Sequence, residues 1–527
     1  MKAMAVAPHA LAAEAGAGVL REGGNAAEAA VATAAALAVV YPHMTGLGGD
    51  AFWLLAGPGE PVTAIDGAGA TPAQLPLGRY AGLQAIPHRG PLAANTVAGA
   101  VSAWAAALAA SGERWGGRLP LARLLAPAIR HAEEGFAVSA SQARTTAGKL
   151  DELAGQPGFA GVYLDRGGVP AAGSVWRQPA LAQTLRRLAE AGPEDFYRGA
   201  LAADIAGDLE AAGSPVRGED LAAQRADVGE PLSLRLGGLL PGGTLYTTGP
   251  PTQGLATLLI LGQYAYREGA LDLAEEVDYV HFLVEATKQA FAQRDALIRD
   301  PLDMEGTDLE ALLAPQALQR QAAAIDMARA APWPAGPAAD TTWFGAIDAE
   351  GRAVSAIQSL YHEYGSAVVL PTTGICWQNR GSSFSLDPDQ PRALRPGRKP
   401  FHTLCPSLLR LDDGRTAVCG TMGGEGQPQT QAAVLSRYLA RACGPAAAID
   451  APRWLLGRTW GAASDSLKLE ARLGAGLAEA LRARGHVVEV LGDYEETMGH
   501  AGLIVRDAQG RVEGAADPRG DGSAPGS

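Results

Sequence analysis

The sequence predicts an α+β protein, helix-rich in its first two thirds and strand-rich beyond. Helical periodicity marks 9–40, most of 96–226 and 255–299, a Pro/Gly/Ala tract interrupts the chain at 326–339, and a hairpin pattern opens directly after it at Thr341. The 527 residues are 47% hydrophobic and 19% charged, with a mean hydropathy of +0.01, which supports a large core and excludes a wholly disordered chain. A net charge of -13 makes nucleic acid and anionic membranes poor partners.

Residues 9–22 read as a helix stopped by Gly23-Gly24, and Asn25 is placed to cap the next one. That second helix, 26–40, is alanine-rich, carries Glu28 and is too short to cross ~30 Å of hydrocarbon, so it reads as a buried core helix. No basic leader with an apolar core opens the chain, and a cytoplasmic location is the expectation. Gly46-Leu47-Gly48-Gly49 leads into a strand at 51–56. A dinucleotide loop follows a strand and opens a helix, so this one reads as a tight, close-packed turn. Residues 57–95 read as loops, and 96–226 as helices with breaks near 155–175 and 213–218.

A turn cluster at 247–254 precedes helices at 255–268 and 274–299. The second of these carries His281, Glu285, Lys288 and Asp295, which read as a solvated or salt-bridged face. The tract at 326–339 can be neither helix nor central strand and is the clearest linker. Beyond it, 341–348 and 352–360 form a hairpin by pattern, with further strands expected at 374–379, 407–411 and 415–421. The tail from Gly520 reads as disordered. Cys376, Cys405, Cys419 and Cys443 form no CxxC pair and read as buried free thiols.

Asp340-Thr341 stands where the linker meets a strand. A threonine hydroxyl is a weak nucleophile without an adjoining base. An N-terminal threonine supplies its own, because a free α-amine has a pKa of ~7.7–8.0. An internal threonine reaches that state if its hydroxyl attacks the preceding carbonyl and the resulting ester hydrolyses. By position alone this is weak evidence, since most threonines at such a boundary are ordinary strand residues.

The wider pattern resembles the γ-glutamyltransferase family of N-terminal-nucleophile hydrolases along almost the whole chain. The resemblance is carried by Pro8-His9, Leu20-Arg21-Glu22-Gly23-Gly24-Asn25-Ala26, Pro42-His43 with Gly46-Leu47-Gly48-Gly49, and Glu285-Ala286 with Lys288 and Arg294-Asp295. Asp300-Pro301, Asp340-Thr341-Thr342 and Met422-Gly423-Gly424 complete it. It implies a four-layer αββα sandwich and a proenzyme that cuts itself between Asp340 and Thr341. Residues 1–340 would form a large subunit and 341–527 a small one, paired as a heterodimer, with a dimer of heterodimers left open. Thr341 would be nucleophile and base, Ser359 its orienting hydroxyl, and Gly423 and Gly424 the oxyanion donors.

The departures from the family bear on the substrate. The acid that holds an α-amine is replaced by Ser383 in Ser382-Ser383-Phe384-Ser385, and Ala68 stands where an arginine holds the α-carboxylate. The carboxylate-binding Ser-Ser pair reads His402-Thr403, and an asparagine becomes Tyr361. Hydrogen bonds to charged groups contribute about 1.5–3 kcal/mol each, so losing two removes roughly 10²–10⁴ in discrimination. An amidohydrolase of a small carboxylate-bearing amide is therefore expected. The stretches at 361–366 and 378–385 resemble the family's amidase branch, which includes hydrolysis of oxamate to oxalate and ammonia, and Arg380, His402 or Arg89 would bind the carboxylate. A γ-glutamyltransferase or glutathione hydrolase, or a cephalosporin acylase-like amidase, is the alternative. Tyr361, Trp377 and Trp343 suggest a smaller or flatter pocket, with plain core packing the other reading. His362-Glu363 lacks the second histidine of HExxH and no Cys/His cluster has ligand spacing, so no metal is expected. Nor is an organic cofactor, since one residue supplies nucleophile and base.

Overall fold

Two six-stranded antiparallel sheets lie face to face in the computed structural model, which describes residues 1–269, 273–333, 341–441, 443–458 and 464–527. The first sheet runs Met4–Val6, Thr342–Ile347, Ala353–Ser359, Asp50–Ala56, Thr63–Gly67, Asp227–Gly229. The second runs Val512–Ala516, Ala501–Arg506, Thr416–Thr421, Ser407–Leu411, Gly243–Thr247, Leu232–Leu236. Each sheet contains strands from both sides of position 341, so the two halves share their cores.

Three apolar layers hold this stack together. Phe52, Leu54, Trp343, Ile357, Leu408, Val418 and Ile504 fill the space between the sheets. Phe344, Ala346, Val354 and Ala356 turn to the opposite face of the first sheet and pack under the alanine-rich helix Ala26–Val40. Leu409, Ala417 and Leu503 pack the outer face of the second sheet under Gly254–Tyr266 and Gln427–Ala440. The resulting order is helix, sheet, sheet, helix.

Ala26–Val40 is buried along its whole length because small side chains let neighbours approach closely. Asn25 caps it and Glu28 completes a capping box. The buried Glu28 carboxylate takes N–H bonds from Asn25 (2.8 Å), Arg118 (2.7 Å) and Leu119 (2.8 Å), which offset its desolvation. Among the described residues, no helix is long and apolar enough to cross a membrane.

Several expectations fail for identifiable reasons. The segment 57–95 contains a real strand, Thr63–Gly67, whose glycine and aspartate disguise it. Leu232–Leu236 and Gly243–Thr247 went unseen in the sequence. The strand expected at 374–379 is absent: Cys376 and Trp377 make only isolated bridges, to Val369 and Gly48. The tail is ordered. It runs beside the first strand, where Lys2 N–H donates to the Ser527 carbonyl (2.7 Å) and Ala5 N–H to that of Pro525 (3.2 Å), so a polar sequence is held by backbone bonds.

Candidate active site

Strand register assembles the site floor. Gln358 pairs with Thr342 and Ser359 with Asp50, which puts Thr341, Ser359 and Asp50 in one row across three neighbouring strands. Paired residues of antiparallel strands project on the same side, and adjacent strands lie about 4.8 Å apart. Trp343, Ile357 and Phe52, two residues along each strand, face the space between the sheets. By the period of two, Thr341, Ser359 and Asp50 face the same space at its end. Thr341 is fully buried.

Loops from the second sheet form the opposite wall. Gln427, at the start of Gln427–Ala440, donates from Nε2 to Thr341 Oγ1 (2.6 Å), and its Oε1 accepts from Cys405 N–H (3.2 Å). Just before it the chain turns through Gly423 (φ 113°) and Gly424 (φ 49°), a left-handed path that side chains resist. Gln253 ties this turn to the neighbouring loop, donating from Nε2 to the carbonyls of Gly424 and Thr403 (both 2.7 Å). Gln253 Oε1 accepts from Arg294 (2.8 Å), which also pairs with buried Glu425. Gln253, Gln427 and Glu425 were not singled out from the sequence, because glutamine and glutamate carry no local signature for such bridging.

The remaining sequence candidates divide. Ser359 Oγ accepts from Tyr361 N–H (2.8 Å), bracing a residue at φ 84°, an uncommon conformation for a bulky side chain. The Tyr361 ring lies under Arg380, whose guanidinium carbon is 3.7 Å from the ring centroid. Arg380 is buried and donates to Thr403 Oγ1 (3.3 Å) and the Phe401 carbonyl (3.4 Å). Among the described residues no carboxylate forms an ion pair with it, and burial pushes its pKa down to about 10.

His402 is fully buried, its Nε2 3.3 Å from Asp50 Oδ2. Burial, with Arg380 second, holds its pKa well below the usual imidazole range, so it is neutral and adds no positive charge. Ser382 Oγ donates to the Asn379 carbonyl (2.8 Å) and Ser383 Oγ to that of Phe401 (3.2 Å).

Arg89 lies elsewhere in its commitments: it pairs with Glu152 and Glu363 and donates to the carbonyls of Glu363 (2.6 Å) and Gly365 (2.5 Å), pinning that loop. Ala68 and Trp343 belong to the inter-sheet core and Trp377 to the helix-facing one. Asp340 lies outside the described residues. Cys376, Cys405 and Cys419 are buried and unbridged, while Cys443 is half-buried.

The face carrying His281, Glu285 and Lys288 is buried rather than solvated, but it is salt-bridged as expected, Lys288 pairing with Glu285 and the exposed Asp295 with Arg294. With His486, His281 and Glu285 bring metal-ligating atoms together, but each is engaged. His281 Nε2 donates to the Asp326 carbonyl (2.9 Å) and its Nδ1 lies 2.8 Å from His486 Nε2. Lys288 Nζ donates to Glu285 Oε1 (2.7 Å) and the Ala331 carbonyl (2.5 Å), while Glu285 Oε2 accepts from Ala331 N–H (3.0 Å). A lysine on the carboxylate opposes a cation there. The cluster anchors the chain that leads toward position 341.

A buried hydroxyl residue heading an inner strand, between two sheets covered by helices, defines the class as an N-terminal-nucleophile hydrolase fold. Residues 12–527 match the gamma-glutamyltranspeptidase family. The chain is 54% identical to the oxamate amidohydrolase proenzyme of Klebsiella pneumoniae subsp. pneumoniae, over 99% of this chain and 98% of that one. It is 42% identical to a glutathione hydrolase-like proenzyme of Bacillus subtilis, over 100% and 98%. The crystal structure of cephalosporin acylase from Bacillus halodurans superposes with a TM-score of 0.88 at 34% identity, covering 100% of this chain and 96% of that one. The chain belongs to the gamma-glutamyltranspeptidase family and is an amidohydrolase of it.

Proposed function

We propose that the chain is a self-cleaving proenzyme, cut between Asp340 and Thr341, whose mature form hydrolyses the amide of a small carboxylate-bearing substrate, best matched by oxamate. The observation that carries this reading is Arg380, a buried guanidinium with a hydroxyl and a carbonyl for partners and, among the described residues, no carboxylate paired to it. A buried cation with no carboxylate in contact is costly, and a substrate carboxylate bound directly to it would lower that cost. Its planar fork suits a carboxylate, and Thr403 Oγ1 is a further polar group beside it.

In this reading the freed α-amine of Thr341 takes the proton from its own Oγ, and Oγ attacks the amide carbonyl carbon. Backbone N–H groups at Gly423 and Gly424 receive the oxyanion; one such donor is worth about 2.7–4 kcal/mol. The C–N bond breaks, the nitrogen leaves as ammonia with the proton held by the amine, and water then hydrolyses the acyl ester. Gln427, on Thr341 Oγ1, orients the hydroxyl. The relative named for oxamate supports this substrate. So does the absence of an acid at position 383, where Ser383 bonds the Phe401 carbonyl.

Incubation with oxamate, a γ-glutamyl anilide and a glutaryl amide, with product identification, tests the substrate. Release of ammonia and oxalate from oxamate alone is expected. Faster turnover of the γ-glutamyl compound would reject it.

A further inference from the structure

Asp50 stands in the same row as Thr341 and Ser359, yet neither the family resemblance nor the reaction above uses it. It is 1% exposed, and its two oxygens are treated unequally. Oδ1 accepts from Gly99 N–H (2.9 Å), Gln378 Nε2 (3.0 Å) and Gly69 N–H (3.1 Å). Among the described residues Oδ2 has no hydrogen-bond donor; it points toward His402 Nε2, 3.3 Å away but off the hydrogen-bond line.

The charged and titratable groups around it are few. The loop after Gln378 brings Arg380, which acts on Asp50 through space without contact. The loop before the Ser407–Leu411 strand brings neutral His402, and Lys399 acts on that histidine. Tyr197 approaches from the side of the helix Ala100–Trp115. The strand neighbours Ser359 and Ala68 add no charge. Burial, opposed by the three donors and Arg380, pushes the Asp50 carboxyl up to about 7. Asp50 and Arg380 are thus opposite charges in one dry space, not joined by an ion pair.

We propose that Asp50 is a specificity residue of the Arg380 subsite: it balances the guanidinium through space while the subsite is empty, and it takes up one proton from solvent when a substrate carboxylate replaces it as counter-charge. Two carboxylates beside one guanidinium repel each other in a low-dielectric space, so one of them accepts a proton. Protonated Asp50 then presents an O–H from Oδ2, the oxygen that has no donor. The subsite in this way disfavours carboxylate binding above neutrality. The inference rests on the reading of Arg380 as carboxylate anchor.

Calorimetric titration of the mature protein with oxalate, in two buffers of different protonation enthalpy, tests it. The expected result is uptake of about one proton per oxalate at about pH 8, falling toward none at about pH 5.5. The apparent Kd should weaken about tenfold between about pH 7 and about pH 8.5. Asp50→Asn should bind oxalate without proton uptake and with a flat pH profile. No uptake by the unmutated protein at about pH 8, or uptake that persists in Asp50→Asn, overturns the inference. Arg380→Gln separates the underlying reading: unchanged oxalate binding in that variant, or no oxalate binding by the unmutated protein, rejects the anchor itself. Lost binding in Arg380→Gln with no proton uptake in the parent rejects Asp50 alone.

Discussion

At the scale of single residues, Thr341 and Arg380 carry separate burdens. Thr341→Ala removes the hydroxyl proposed both to attack the substrate and to cut the chain. A single uncut polypeptide on a denaturing gel and no amide hydrolysis are expected. Arg380→Gln keeps an amide able to reach Thr403 but removes the charge. A KM increase of roughly 10–100-fold with a smaller change in kcat is expected, because a hydrogen bond to a charged group contributes about 1.5–3 kcal/mol. Asp50 gives a pH dependence with a definite sign. Its carboxyl holds a proton more tightly folded than unfolded, so stability is greatest below the ordinary aspartate pKa and declines as pH rises toward about 7. Asp50→Asn should therefore raise Tm relative to the parent at about pH 8, with the gain gone by about pH 4, as read by thermal melts across that range.

At the scale of elements, the site depends on turns that hold unusual backbone. Gly423 at φ 113° leads directly into the helix whose first residue touches Thr341. Gly423→Val places a β-branched side chain in that conformation and moves both the N–H groups of the turn and Gln427. A fall in kcat of at least 10²-fold is expected in steady-state assays, the size seen when an oxyanion donor is lost. Such turns are partly legible: Met422-Gly423-Gly424 stands out in the sequence, whereas Tyr361 at positive φ does not. Tyrosine has no left-handed preference, and only the bond from Tyr361 N–H to Ser359 Oγ shows how the conformation is held. The same reasoning accounts for the ordered tail. Its residues bury little, but their carbonyls and N–H groups satisfy the edge strand Met4–Val6, a pairing invisible to composition. Deleting 521–527 should lower Tm by several degrees in a thermal melt by leaving that edge unpaired.

At the scale of the whole molecule, the interleaved sheets matter most. Thr342–Ile347 lies between Met4–Val6 and Ala353–Ser359, and Gly243–Thr247 between Leu232–Leu236 and Ser407–Leu411. A cut before Thr341 would leave every one of these pairings intact. The two pieces should co-elute in size-exclusion chromatography and separate only in denaturant. The cluster of His281, Glu285, Lys288 and His486 extends this logic to the junction, since it grips Asp326 and Ala331 just upstream.

The linear order of residues was enough to establish the helix caps, the alanine-rich core helix, the hairpin after the linker and the family to which the chain belongs. Those features are local, each set by side-chain period, turn chemistry or a short motif. Tertiary structure alone decided that Asp50 shares a row with Thr341, that Arg380 is buried on Tyr361 with no carboxylate pair among the described residues, and that Arg89 is committed to a loop. Cross-strand register and burial join residues hundreds of positions apart, and the charge state of a buried group depends on those neighbours rather than on the residues beside it in the chain.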